Sequence, residues 1–177
     1  MQTGRAALVV GPIALAALSA LAACGGDAAA AFGGLVEFVV EPPCAHRVAR
    51  MDLGALQHVD RSYTYDVVPG ELVGGALLQG VHRPPAGTRV TFELAASARV
   101  YVFFHATVDG GFGAAFAALD GWRRQPSAPQ YDIHNGDHGH RMVMYARDFG
   151  PGRHALPATT ADRGCFNVVV QPVATPR

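Results

Sequence analysis

Three histidines, His134, His138 and His140, fall within seven residues and are interleaved with Asp132, Asn135 and Asp137. Imidazole nitrogens and carboxylates are good ligands for zinc, copper or nickel, and a His-x-His pair such as His138 and His140 puts both rings on one face of a strand. His105 offers one more nitrogen from elsewhere in the chain. The hard oxygens of Asp132, Asn135 and Asp137 suit calcium, although their spacing is not that of an EF-hand loop. A plainer reading stands beside these: solvated His and Asp collect around an Asn-Gly turn such as Asn135-Gly136 without any ion.

A second constellation surrounds Trp122, the only tryptophan, which follows an Asp-Gly turn. An exposed indole there would stack on a sugar ring, with Arg123, Arg124 and Tyr131 donating hydrogen bonds to hydroxyls and the loop around His134 completing the contact face. The alternative is an indole folded back to cap the core. Catalytic chemistry is harder to find. Asp109 and Asp120 each precede glycine and read as turn formers rather than as the facing acids of a glycosidase. Beyond the leader the serines are Ser62, Ser97 and Ser127, none in a nucleophile elbow. All fourteen basic residues are arginine, which rules out a Schiff-base lysine and the lysine of a phosphate loop. With a formal net charge of zero the chain lacks the basic surplus that a nucleic-acid partner calls for.

These residues must be carried by strands. Val36, Phe38 and Val40 alternate before Pro42-Pro43. Tyr63, Tyr65 and Val67 alternate before Pro69-Gly70, and Phe166, Val168 and Val170 alternate near the end. A period of two is the mark of extended chain with one buried face. The pattern is strongest from Val90 to His105, where one run is one-sided and the next is apolar on both faces. That stretch reads as a central hairpin whose second strand is covered on both sides. Gly74-Gly75 marks a bulge or a close backbone approach, Phe112 to Leu119 suits a short helical turn, and Asn135-Gly136 between alternating runs predicts another hairpin. Residues 45–60 show no clear period. Short strands with regular turn signals predict an all-β fold, a single antiparallel two-sheet sandwich of jelly-roll or immunoglobulin type.

Residues 1–23 have the form of an export signal: Arg5, then a nearly unbroken apolar run from Ala6 to Ala23. Leu21-Ala22-Ala23-Cys24 resembles the lipobox of bacterial lipoproteins, which implies lipid attachment at Cys24. A plain secretory signal cut near Ala28–Ala31 is the alternative. Residues 24–34 read as a flexible tether and 35–177 as the sandwich domain. Cys44 and Cys165 then form an even pair, expected to make a disulfide in an oxidising compartment; the alternative is two separate buried thiols.

The series Asp60-Arg61-x-Tyr63, Pro69-x-Glu71-Leu72-x-Gly74-Gly75, Val100-Tyr101-Val102, Gly121-Trp122, Met144-Tyr145, Gly152 and Leu156-Pro157 resembles a small secreted β-sandwich module that recurs beside extracellular polysaccharide-active enzymes. The resemblance spans residues 58–172 and implies an accessory, non-catalytic role. The first functional expectation is therefore an exported or surface-tethered module that recognises carbohydrate or another cell-surface molecule, meeting the membrane only through Cys24. The alternatives are a histidine-rich metal protein or metalloenzyme using His105, His134, His138 and His140, and a structural envelope lipoprotein. No cofactor follows from the residues beyond zinc, copper or calcium as candidates.

Overall fold

The computed structural model describes residues 32, 34–105, 112–133, 139–158 and 166–173. The expected leader, Cys24 and the Cys165 half of the expected disulfide lie outside the described residues. Among the described residues eleven strands and one short helix follow in order: β1 (Val36–Glu41), β2 (Arg47–Arg50), β3 (Thr64–Val67), a 3-10 turn at Gly70–Leu72, β4 (Ala76–Gln79), β5 (Arg89–Leu94), β6 (Ala98–His105), α1 (Phe112–Ala117), β7 (Arg123–Arg124), β8 (Gln130–Asp132), β9 (His140–Phe149), β10 (Gly152–Ala155) and β11 (Phe166–Pro172).

The strands form two antiparallel sheets, as the alternating runs predict. The smaller has the order β1-β5-β10, and the larger β2-β4-β11-β6-β9-β8-β3 with β7 added beside β9. Their facing sides share one core. Val36, Phe38 and Val40 of β1 and Val90, Phe92 and Leu94 of β5 meet Val100, Val102 and Phe104 of β6 and Val168 and Val170 of β11. Each such side chain stabilises the fold by roughly 1.5–3 kcal/mol on burial. The larger sheet is covered on its other side too: Leu77, Tyr101, Phe103, Met142, Met144 and Val169 pack against Met51, Tyr65 and Leu72. A buried polar pair holds this second cover in place, with Gln57 Nε2 donating to Asn167 Oδ1 (3.3 Å) and Asn167 Nδ2 donating to the Gln57 carbonyl (2.9 Å).

One expectation is overturned. β5 and β6 are not a hairpin: β5 pairs with β1 and β10, whereas β6 pairs with β11 and β9. The strands of a hairpin share the same two environments, and these two runs do not. β5 is buried on one side only and fits an outer sheet. β6 is buried on both faces and needs the middle of the larger one. The link Ala95–Ser97 therefore passes between layers, anchored where the Ala95 amide donates to Leu35 (3.1 Å) and the Val173 amide to Ser97 (3.2 Å).

Other local expectations hold. Gly75 approaches β11 so closely that a Cβ there would lie 2.6 Å from Val169 Cγ1, and Gly74 has a φ of +81°. β8 and β9 pair antiparallel, although the Asn135-Gly136 turn between them lies outside the described residues. The stretch without a clear period resolves into β2 followed by irregular chain.

Candidate functional site

The long strand β9 makes the first candidate site by running past its partners. One edge is filled by β6. The other is met by β8 at His140 and Arg141 and by β7 at Tyr145 and Ala146. Between these pairings no strand among the described residues lies opposite Met142, Val143 and Met144 on that edge. Pro126 and Pro129 account for the gap: proline has no amide to donate to a ladder, so the chain from Gln125 bows outward before it rejoins as β8. The Gln125 amide makes the last contact, donating to the Met144 carbonyl at 2.8 Å. Ser127 at the crest donates its hydroxyl to Glu71 Oε1 (3.0 Å), which ties the bow to the 3-10 turn.

An open groove of about 540 Å³ results, lined by residues that include Glu71, Arg124, Gln125, Gln130 and Arg141. That volume is in the range of ligand sites. Register fixes which side chains share a face. Arg124 lies opposite Tyr145 and Gln130 opposite Arg141. Residues paired across strands share a face, as do alternate residues along one strand. Arg124, Gln130 and Arg141 therefore stand on the same side of the larger sheet, and the two guanidinium-bearing positions are about 14 Å apart along β9. Neither guanidinium forms an ion pair or hydrogen bond among the described residues, whereas those of Arg50, Arg61 and Arg99 are paired with Asp52, Asp60 and Asp148.

The second candidate is a ring cluster at one end of the larger sheet's outer cover. Tyr131 of β8 stacks on Tyr63 (centroids 6.2 Å, planes 26°), and His105 and His140 pack against it at 5.8 and 5.1 Å. Behind Tyr63 sit His82 (5.3 Å) and His58 (6.3 Å), themselves 5.1 Å apart. Asp60 orders this corner by accepting the His82 amide at 2.8 Å. Burial drives His58 down to about 4, helped by the neighbouring His82 and Arg61 and opposed by Asp60 and a backbone hydrogen bond with Gly80. His82 is lowered by burial, then by Arg61 and Arg83. His105 is lowered by burial and by His140. Neutral imidazoles are the form that binds transition metals, yet among the described residues no three metal-ligating side chains converge.

The residues expected from sequence to bind ligand are thus divided. Trp122 is 9% exposed and belongs to the inter-sheet core, edge-on to Phe116 at 4.7 Å and beside Phe149 at 5.8 Å. Its indole caps the core, the second of the two readings its position allowed. Arg123 and Arg124 are both exposed, but they oppose Ala146 and Tyr145 and so leave β7 on opposite faces. Only Arg124 lines the groove. Tyr131 is buried in the ring cluster, not presented beside Trp122. His105 and His140 come together across it, while His134 and His138, like Asn135 and Asp137, lie outside the described residues. His58 and His82 had no signal in the sequence, because both sit in irregular segments where no period assigns a face. Arg141 and Gln130 were hidden for another reason: their role depends on a gap between two strands.

No protein-family model matches the chain, and no curated protein matches it. Two solved structures share its fold. One is a β-glucuronidase from glycoside hydrolase family 2, with a TM-score of 0.55, 15% identity and 76% of this chain covered. The other is a GH138 enzyme targeting pectin rhamnogalacturonan II, with a TM-score of 0.52, 18% identity and again 76% covered. This chain spans 14% and 16% of those two proteins. What it shares with glycoside hydrolase proteins is a β-sandwich unit that makes up a small part of each.

Proposed function

We propose that this chain is a non-catalytic β-sandwich module that binds carbohydrate in the groove along β9, exported and held at the cell envelope through a lipid on Cys24. The observation that carries the reading is the groove itself: an open channel lined by carboxamide and guanidinium side chains, on a fold that also occurs within two glycoside hydrolase proteins. Side chains of this kind hydrogen-bond sugar hydroxyls in pairs. Glu71 is the single carboxylate among the described groove residues, and it already accepts from Ser127. Glycoside hydrolysis calls for two facing acids, so the lining favours binding over cleavage.

Affinity electrophoresis of the purified protein through gels containing soluble plant and bacterial polysaccharides tests the proposal. Retardation in at least one gel, weakened by Gln130→Ala and kept by His58→Gln, is the expected result. Migration unchanged across the panel contradicts it. The metal reading retains one supporting observation, the meeting of His105 and His140 on one side of the sheet around Tyr131. Metal analysis of the purified protein checks it, since stoichiometric zinc or copper lost in His105→Ala is what that reading requires.

A further inference from the structure

We infer that the groove along β9 is selective for acidic polysaccharide, an assignment that rests on the carbohydrate reading above and names the class of glycan. Two features carry it. The first is the unspent charge of Arg124 and Arg141. The chain has equal numbers of acidic and basic residues, and elsewhere on the larger sheet Arg99 holds Asp148 with two short contacts of 2.6 and 2.7 Å. Arg124 and Arg141 have no such partner among the described residues, although both are exposed and both line the groove. Glu71 supplies one negative charge against their two positive ones, so the described lining carries a net charge of 2 − 1 = +1.

The second feature is placement. The two arginines share a face, about 14 Å apart along β9, with Gln130 beside Arg141 and the bowed Gln125–Pro129 segment between them. Separation on that scale suits a polymer with repeated charges better than a single small anion, which a closely spaced pair would clamp. A planar guanidinium accepts a carboxylate in two parallel hydrogen bonds, and the carboxamides of Gln125 and Gln130 serve the hydroxyls that every sugar offers. Arginine in place of lysine gives this geometry a fixed fork.

The test compares three gels containing polygalacturonate, the same polymer with its carboxyl groups reduced to alcohols, and dextran sulfate. The protein should be retarded most by polygalacturonate and roughly tenfold less by the reduced polymer, the scale of one charge-assisted hydrogen bond. Arg124→Gln with Arg141→Gln should abolish that preference while circular dichroism stays unchanged, and added salt should weaken retardation by the acidic polymer alone. Equal retardation by the acidic and reduced polymers overturns the charge selectivity but leaves the groove a carbohydrate site. Retardation by dextran sulfate alone overturns the carboxylate assignment. A protein that ignores all three, and neutral polysaccharides as well, refutes both the selectivity and the reading beneath it.

Discussion

Lowering the pH should loosen this fold through His58. The ring is 1% exposed, packed between Tyr63 and His82, and its pKa lies at about 4 against an ordinary 6.5. The unfolded chain therefore takes up a proton as the pH falls below 6.5, whereas the folded one resists until about 4. Protons favour the unfolded state across that window, so stability is fully present above 6.5 and is lost progressively towards 4. At 1.36 kcal/mol for each tenfold change, the loss from this residue is about 2 kcal/mol at pH 5 and about 3 kcal/mol by pH 4. His82 and His105 are shifted the same way and steepen the slope. Urea unfolding at pH 7.5 and pH 5 measures the effect, which should lower the midpoint by roughly 1 M for an m-value near 2 kcal/mol/M. His58→Gln keeps a hydrogen-bonding side chain and removes the titration, so about 2 kcal/mol of the difference between the two pH values should disappear. If wild type and His58→Gln lose the same stability on acidification, His58 is not held neutral by its surroundings.

Two further outcomes follow from packing and a third from the cysteine pair. Gly75→Ala should destabilise the protein by about 1–3 kcal/mol in urea unfolding, because the new methyl meets the buried Val169 side chain at 2.6 Å. Trp122 should emit at short wavelength in the native state and shift to the red on unfolding, and polysaccharide should leave its emission unchanged because the indole sits in the core and not on the contact face. Cys44 is a free thiol in the described structure, where Cys165 lies outside the described residues; the pairing expected from the sequence is tested by peptide mapping without reduction, which should recover Cys44 linked to Cys165. Cys44→Ser should then cost roughly 5 kcal/mol in the chain-entropy model, for a loop in which 165 − 44 = 121 residues separate the two ends.

The layers of this protein were legible in its sequence because each strand carries the imprint of its surroundings. Val36, Phe38 and Val40 announce a strand with one dry face, and the two-sided run from Val100 to Phe104 announces a strand at the centre of a sheet. Pairing was less legible. Proximity in the chain suggested that β5 and β6 are neighbours, while their unequal burial patterns already argued for separate sheets. The site was hardest to read. Trp122 attracts attention as a lone indole, yet nothing local distinguishes a ring aimed at solvent from one turned onto Phe116. The groove arises from what β7 and β8 fail to cover along β9, a property of register and of two prolines in the intervening loop. The ring cluster draws His58 and His82 from segments without period, so only the folded chain brings them to Tyr63.

Whether carbohydrate binds along β9 can be read residue by residue from amide chemical shifts during titration with polygalacturonate oligosaccharides. Saturable shifts should concentrate at Arg124, Gln125, Gln130, Arg141 and Val143, with the resonances of His58 and His82 unmoved. Shifts centred on the histidine and tyrosine rings, or on the exposed face of the β1-β5-β10 sheet, would contradict binding along β9.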